Sequence, residues 1–217
     1  MVYDADGVLI DSTRKGIERH IIFAQKKGLP IPSIDTIRQH WGREWKKDFL
    51  PRLIRTMNWP DWTLKAMIEF VQENPEEYPP IDGLPNMLTT LHDNKCQQAI
   101  VSNRKTSQII TLLDKAGIKR DVFEFIQGPD LPPCVKKPDP GVFAPTMALA
   151  RKHGIAHDQI FYIGDTLAYD WLATQNNEPP IKFIGIVSGA QTREEFAQHL
   201  APEFILDSVT QLPTIIL

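Results

Sequence analysis

Residues 2–12 read Val2-Tyr3-Asp4-Ala5-Asp6-Gly7-Val8-Leu9-Ile10-Asp11-Ser12, and the interpretation of the fold starts from this stretch. A short apolar strand runs into two carboxylates spaced i, i+2, which point the same way along a strand. Gly7 permits a bend directly after them, so Asp4 and Asp6 can converge on one point beyond the sheet. Like charges held that close repel unless a cation or proton lies between them. The pattern indicates a divalent metal, a nucleophile beside a general acid/base, or both.

Composition excludes some classes of partner. The 217 residues are 42% hydrophobic and 24% charged, as in an ordinary globular protein. A net charge of -3 without a block of like charge argues against nucleic-acid binding. No apolar run approaches the roughly 20 residues that span a bilayer, so we expect no membrane partner. Two cysteines without a CxxC pair, and no signal-peptide pattern, predict a cytoplasmic location.

The sequence has two regions with different hydrophobic patterns. Residues 14–79 are helical in pattern, and in the rest strand-like runs alternate with helical runs. The predicted strands are residues 2–3, 98–101, 122–126, 160–163, 181–187 and 204–206, and the helices between them are residues 84–92, 106–116, 141–153, 167–174 and 192–200. Such alternation favours an α/β fold, a doubly wound parallel sheet covered on both faces. We predict a core of residues 1–13 and 80–217 with an inserted α-helical cap of residues 14–79, hinged at 12–13 and 78–81.

The helical segment is rich in large aromatic residues. Its tryptophans, which we predict to fill the core of a small helical bundle, are Trp41, Trp45, Trp59 and Trp62. Arg43 follows Gly42 between two predicted helices, and we select it as the candidate substrate contact in this segment.

Polar residues follow four of the predicted strands, at the sheet edge where doubly wound folds bind ligands. These residues are Asp4 and Asp6 after the first strand, Ser102 and Asn103 after the second, Lys137 in the loop after the third, and Asp165 and Asp170 after the fourth. Any one of these groups alone is also typical of a turn, a solvated loop or a helix cap. Their joint occurrence after successive strands predicts one shared site.

Each residue type suits one task in phosphoryl transfer. Asp4 can attack phosphorus and form an acyl phosphate, and Asp6 can protonate the leaving oxygen and later activate water. Lys137 offsets the charge between the nucleophile and a phosphate dianion. Asp165 and Asp170 can hold a hard cation, and magnesium fits best because it prefers a few carboxylates plus substrate oxygens. The side chains of Ser102 and Asn103 can donate to phosphate oxygens.

The chain resembles the haloacid dehalogenase (HAD) superfamily, most of all its phosphoglycolate phosphatase and β-phosphoglucomutase branch. The phrases Asp-Gly-Val-Leu-Ile-Asp-Ser, Val-Ser-Asn, Lys-Pro-Asp-Pro and Gly-Asp-Thr match its motifs in the right order. The resemblance spans nearly the whole chain and places the helical segment where that superfamily has a cap. It implies a Rossmann-like core and a magnesium-dependent phosphatase whose partner is a small phosphorylated metabolite.

The same resemblance implies roles for individual residues. It implies Mg²⁺ bound by Asp4, the backbone carbonyl of Asp6 and Asp165, with Asp4 as nucleophile and Asp6 as acid/base. It implies phosphate contacts from Ser102 and Lys137, in a site that Gly7 and Asn103 also line. The aspartate at position 6 favours a phosphatase, because the dehalogenases and phosphonatases of the superfamily lack it.

Two departures from the family pattern bear on the site. Few residues precede Asp4, so we expect either a weakened first strand or a natural start upstream of Met1. Asp170 follows Asp165 by five positions, where a spacing of four is commoner in the family. Two alternatives to a phosphatase stay open, a β-phosphoglucomutase-like phosphotransferase and a catalytically weak binding protein on the same scaffold. We expect a monomer or a homodimer, and the substrate itself is left open.

Overall fold

The structure, a computed structural model, describes residues 1–75, 78 and 81–217. The chain forms two compact units, Met1–Asp11 with Tyr78–Leu217, and Ser12–Glu77. The predicted boundary at 79/80, and with it the middle of the predicted hinge at 78–81, lies outside the described residues. No helix in the described ranges combines the length and the apolar character that a membrane crossing needs.

The first unit is built on a parallel sheet with the strand order β3-β2-β1-β4-β5-β6. The strands are β1 (Val2–Tyr3), β2 (Ala99–Val101), β3 (Phe125–Gln127), β4 (Phe161–Gly164), β5 (Lys182–Ile186) and β6 (Ile205–Leu206). The α-helices of the two units, in chain order, are α1 (Ser12–Lys27), α2 (Ile34–Arg38), α3 (Leu50–Thr56), α4 (Trp62–Glu73), α5 (Leu84–Asp93), α6 (Thr106–Lys115), α7 (Ala144–His153), α8 (Leu172–Gln175), α9 (Arg193–Phe196) and α10 (Pro213–Ile216). The predicted fold class, a doubly wound parallel sheet with an inserted helical segment, is confirmed.

The sheet is covered on both faces, and successive residues of a strand are buried in different apolar clusters, one on each face. Tyr3 and Ile163 are buried in one apolar cluster, which also contains residues of α5 and α6. Val2 and Tyr162, their neighbours along β1 and β4, are buried in a second cluster with residues of α7. Because successive strand residues point to opposite faces, apolar residues at every position are what a doubly covered sheet requires.

Some element boundaries differ from the prediction. The strand predicted at 122–126 begins only at Phe125, because residues 120–122 form a 3₁₀ turn closed by a hydrogen bond from Phe123 N–H to the Arg120 carbonyl (3.1 Å). The helix predicted at 192–200 ends at Phe196. Beyond it, backbone N–H groups donate to carbonyls three residues earlier, and these hydrogen bonds tighten the chain ahead of Pro202. The helix predicted at 141–153 opens with a 3₁₀ turn over Pro140–Phe143.

The helical unit has its own apolar core, to which three of its four tryptophans contribute. Trp59 is buried, and Trp41 and Trp45 pack against the same cluster. The prediction is wrong for Trp62, whose exposure is 50%. Thr63 and Met67 form the buried stripe of α4, and Trp62 lies one residue before that stripe, about 100° around the helix.

A histidine is buried in this unit. His20 of α1 places Nδ1 2.6 Å from the Gly16 carbonyl and accepts from the Trp45 indole N–H at Nε2 (3.4 Å). Its ring makes T-shaped contacts with the rings of Trp41 and Phe49. Since an indole nitrogen only donates, Nδ1 carries the proton and the imidazole is neutral. Burial lowers the pKa of His20 to about 4.

We therefore expect the free energy of unfolding to fall as the pH is lowered. The unfolded chain binds a proton at His20 below its ordinary pKa of 6.5, whereas the folded chain does so only near 4. Stability is thus lost between these two values, by about 3 kcal/mol in all. Denaturant titrations from pH 7.5 to 4.5, followed by tryptophan fluorescence, should give a shallower pH dependence for His20→Gln than for wild type. Parallel curves would contradict this, and the exposed His92, changed to Gln, is the control.

Candidate active site

Two aspartates follow neighbouring strands at the centre of the sheet. Asp4 comes directly after β1, and Asp165 comes directly after β4. The next strand in the chain is β2 on one side of this pair and β5 on the other, so the strand order reverses between β1 and β4. The Asp4 N–H donates to the Ile163 carbonyl (2.8 Å), so the hydrogen bonding between β1 and β4 continues to the ends of these strands. The carboxyl ends of strands at such a switch point form the crevice where ligands bind in doubly wound folds.

The turn after β1 carries Asp6 and Gly7. Gly7 has a φ of 72°, a left-handed conformation that costs glycine little, and its N–H donates to the Ile10 carbonyl (2.9 Å). The carboxylates on either side of Ala5 have different surroundings. Asp4 is buried, whereas the Asp6 side chain is 31% exposed and accepts two hydrogen bonds from Arg104.

Lys137 lies buried against Asp4 and links it to β4. Its ammonium group is 3.0 Å from Asp4 Oδ1, 2.5 Å from Asp170 Oδ1 and 2.7 Å from the Tyr162 hydroxyl. These three oxygens match the three N–H donors of a lysine. The Tyr162 hydroxyl in turn donates to the Val101 carbonyl (2.8 Å). Burial alone would lower the pKa of Lys137, but the charges of Asp170 and Asp4 outweigh it and raise that pKa.

A π-helical turn brings Asp170 into this cluster despite its spacing of five from Asp165. Over Leu167–Trp171 the backbone bonds run from i to i+5, as from Trp171 N–H to the Thr166 carbonyl (3.1 Å). Such a turn accommodates one residue more than an α-helical turn, and π-turns are frequent at functional sites. Asp170 Oδ2 accepts from the Thr166 N–H (3.0 Å) and hydroxyl (2.6 Å), which anchors the turn.

Two glycines make room for the aspartates. A Cβ on Gly189 would lie 2.1 Å from Asp165 Cβ, and one on Gly164 would lie 2.5 Å from Asp170 Cβ. The Ala190 N–H donates to Asp165 Oδ2 (2.9 Å), so the loop after β5 fixes this carboxylate. Any side chain at position 164 or 189 would therefore displace a site carboxylate.

The cluster carries more negative than positive charge. One oxygen each of Asp4, Asp165 and Asp170 lies within 4.8 Å of the other two, with Lys137 beside them. Burial raises the pKa of Asp4 to about 6, against the charge of Lys137 and with the help of Asp170 and Asp6. Burial and the charges of Asp170 and Asp4 raise the pKa of Asp165 well above its usual range. An all-oxygen donor set with uncompensated charge suits a hard divalent cation.

The second strand end contributes Ser102 and Asn103. Ser102 is buried, and its hydroxyl lies close enough to Asp4 to favour the ionised carboxylate. Both polar atoms of the Asn103 amide contact the backbone of Lys137, since Nδ2 donates to its carbonyl (3.1 Å) and Oδ1 accepts from its N–H (2.8 Å). The structure therefore gives Asn103 a role in holding the lysine loop, and its contact with phosphate stays a prediction.

Arg43 belongs to the helical unit and has an acidic partner there. Its guanidinium lies 3.1 Å from Asp48 Oδ2, and Arg52 contacts the other oxygen of the same carboxylate. Its side chain is 35% exposed. A contact between Arg43 and substrate stays a prediction.

Sequence reasoning missed three residues of the core site, which are Arg104, Tyr162 and Gly189. Arg104 directly follows the strand-end pair Ser102 and Asn103, so its position was a usable signal. Tyr162 lies in a strand, where an aromatic residue is expected on packing grounds alone and gives no signal of a functional role. Its hydroxyl acquires a role only through residues that are 25 and 61 positions away.

Comparisons with known proteins identify the family of the chain. A model of the haloacid dehalogenase-like hydrolase family matches residues 1–186. A phosphoglycolate phosphatase from Pseudomonas fluorescens (strain Pf0-1) is 25% identical over 227 residues, which cover 98% of this chain and 77% of that protein.

Solved structures share the fold over the whole chain. A predicted phosphoglycolate phosphatase from Haemophilus somnus 129PT superposes with a TM-score of 0.73 at 20% identity, covering 100% of this chain and 96% of that one. A haloacid dehalogenase-like family hydrolase from Streptococcus pneumoniae superposes with a TM-score of 0.69 at 19% identity, covering 100% and 97%. At these identities the likeness shows a common fold.

Proposed function

Because the chain belongs to the haloacid dehalogenase-like hydrolase family and is a phosphatase of that family, we propose that it hydrolyses a small phosphorylated metabolite through an aspartyl phosphate on Asp4. One observation carries this proposal. The buried Asp4 carboxylate lies beside the Lys137 ammonium and within 4.8 Å of carboxylate oxygens of Asp165 and Asp170. The name of the relative from Pseudomonas fluorescens makes phosphoglycolate the first substrate to test.

The first half-reaction transfers the phosphoryl group to the enzyme. An Asp4 oxygen attacks phosphorus, and the bond from phosphorus to the ester oxygen breaks. The leaving oxygen keeps the bonding electron pair and takes a proton from Asp6, so that a neutral alcohol departs. The products are the alcohol and an acyl phosphate on Asp4.

The second half-reaction returns the enzyme to its starting state. Asp6, now deprotonated, takes a proton from a water molecule whose oxygen attacks phosphorus. The bond from phosphorus to the Asp4 oxygen breaks, Asp4 keeps the electron pair, and inorganic phosphate leaves. Asp6 thus gives and regains one proton in each turnover.

Lys137 counters the charge of the incoming phosphate. Its ammonium already lies 3.0 Å from the proposed nucleophile, so a phosphate held against Asp4 is within its reach. We propose that the Ser102 hydroxyl and the turn at Gly7 line the phosphate beside it. Asn103 contributes through the Lys137 backbone that it holds.

The site residues fit Mg²⁺, because buried carboxylates with uncompensated charge are its usual ligands. We propose that Asp4, Asp165 and the backbone carbonyl of Asp6 hold the ion. When bound, it would offset the negative charge of the phosphate facing Asp4. Asp170 is the less direct ligand, since its oxygens already accept from Lys137 and from the Thr166 turn, and we assign it to orient Lys137.

The remaining assignments are proposals about the whole chain. We propose residues 1–13 and 80–217 as the catalytic core and residues 14–79 as the cap, a division that the two compact units support. Arg43 is the candidate substrate contact in the cap. We also propose a cytoplasmic location and a monomer or homodimer.

Phosphate release from a panel of phosphorylated metabolites tests the proposed function. We expect release from at least one of them with Mg²⁺, none in excess EDTA, and recovery when Mg²⁺ is restored, because the cation offsets repulsion of several kcal/mol between two anions about 4 Å apart. Equal turnover in EDTA would contradict the metal assignment. Isomerisation of a sugar phosphate without release would favour the phosphotransferase, and inactivity in both assays would favour the weak binding protein.

A further inference from the structure

The proposed acid/base Asp6 is held by a guanidinium group. Arg104 Nε donates to Asp6 Oδ2 (2.8 Å), and Nη2 donates to Oδ1 (2.6 Å), so one planar fork contacts both carboxylate oxygens. The two residues are 98 positions apart and follow adjacent strands, β1 and β2. Bidentate pairs of this kind are among the stronger polar contacts in proteins.

The backbone that carries Arg104 is fixed, so only its side chain can change partner. The Arg104 N–H donates to the Ser102 hydroxyl (3.3 Å), and the Thr106 N–H and hydroxyl both donate to Asp130 (2.7 and 3.0 Å). A Cβ on Gly128 would lie 2.4 Å from the Arg104 carbonyl, which shows how closely the next strand end packs here. The Arg104 side chain itself is 28% exposed.

This pair competes with the proposed reaction. Asp6 must donate to the leaving oxygen through one of the two oxygens that Arg104 now contacts. Exchange of one contact with Arg104 frees that oxygen to approach the leaving oxygen. An exchange is easiest when another anion of matching geometry takes over the fork, and carboxylates and phosphates have that geometry.

We propose that Arg104 determines substrate specificity by exchanging Asp6 for an anionic group on the leaving alcohol. This inference rests on the proposed phosphatase function and deepens it. Arg104 contacts Asp6 directly, so an anion that replaces Asp6 on the guanidinium fork lies beside the leaving oxygen that Asp6 protonates. The anion must therefore lie within a few bonds of the ester. The preferred substrates are short phosphomonoesters that carry a carboxylate or a second phosphate beside the ester.

Matched substrates and variants test this exchange. The probes are phosphoglycolate, ethylene glycol bisphosphate, and 2-hydroxyethyl phosphate, in which an uncharged hydroxymethyl group replaces the carboxylate. A fourth probe, p-nitrophenyl phosphate, reports phosphatase chemistry with an activated leaving group that needs little proton transfer. kcat and KM are measured with Mg²⁺ for wild type, Arg104→Gln, Arg104→Lys and the control Arg120→Gln, an exposed arginine paired with Asp114.

We expect wild type to prefer an anionic ester over 2-hydroxyethyl phosphate by about tenfold or more in kcat/KM. Arg104→Gln should reduce that ratio at least tenfold, and Arg104→Lys should reduce it less, because the charge stays and the fork is lost. Arg120→Gln should leave the ratio unchanged. Which of the two anionic probes shows the larger ratio tells whether a carboxylate or a second phosphate is preferred.

A merely structural role of Arg104 would lower all rates together. An unchanged ratio in Arg104→Gln would therefore overturn the inference, even if every rate falls, and thermal unfolding of the variant tells lost folding apart from lost specificity. Turnover of p-nitrophenyl phosphate with an unchanged ratio removes the inference and leaves the proposed function standing. If wild type hydrolyses none of the four esters, the proposed function fails and the inference falls with it.

Discussion

The Asp4→Asn variant should lose phosphate release by about a thousandfold or more and keep its fold. An amide oxygen does not attack phosphorus to form a stable acyl phosphate, so the first half-reaction stops. The change is nearly isosteric, and the variant can still accept the Ala5 N–H (2.8 Å) at Oδ1. It also removes one buried negative charge from a cluster in which burial already raises the pKa of Asp4. Thermal unfolding should therefore show a variant at least as stable as wild type.

A trapped intermediate separates this role from a general loss of activity. Acid quenching of wild type during turnover of a radiolabelled substrate should leave label on the protein, and Asp4→Asn should carry none. The exposed Asp93 at the end of α5, changed to Asn, is the matched control and should behave as wild type. Wild-type turnover in Asp4→Asn would refute the assignment of the nucleophile.

Lys137→Met should lose both activity and stability. It leaves Asp4 and Asp170 buried without their shared cation, and breaking a buried ion pair in this way costs about 3–5 kcal/mol of unfolding free energy. The Tyr162 hydroxyl loses a donor at the same time. Chemical denaturation measures the first effect, and phosphate release from a variant that is still folded at low temperature measures the second.

The neighbouring lysine and a double variant supply the controls. Lys136 is exposed, so Lys136→Met should change stability by no more than about 0.5 kcal/mol and leave activity intact. Combining Lys137→Met with Asp170→Asn removes one of the two stranded charges and should recover part of the stability but none of the activity. A Lys137→Met protein as stable as wild type would mean that the buried charges are compensated in another way.

Local patterns were sufficient for the parallel sheet and for most of the strand-end residues. Apolar runs that alternate with helical periodicity depend on neighbouring residues, and the strand ends follow from where those runs stop. Asp4 and Asp165 thus lie after adjacent central strands, as the sequence order indicated. The pattern failed where packing decides the outcome, as for Trp62, which a pattern of large aromatics cannot distinguish from its buried neighbours.

The spacing of Asp170 shows why the site needed tertiary structure. In sequence its position five residues after Asp165 is a departure, and a regular α-helix would point its side chain elsewhere. The π-helical turn absorbs the additional residue, and contacts with Thr166 and Lys137 hold the carboxylate in the cluster. One of those partners is 33 residues away.

The fold class, the order of the elements and the candidate carboxylates follow from local sequence, because they depend on backbone preference and hydrophobic alternation within a few residues. The groups that these carboxylates contact follow only from the folded arrangement of the chain. It paired Asp6 with Arg104, and it surrounded Lys137 with Asp4, Asp170 and Tyr162. Such partners are remote in sequence, and their hydrogen bonds form only where folding brings the strand ends together.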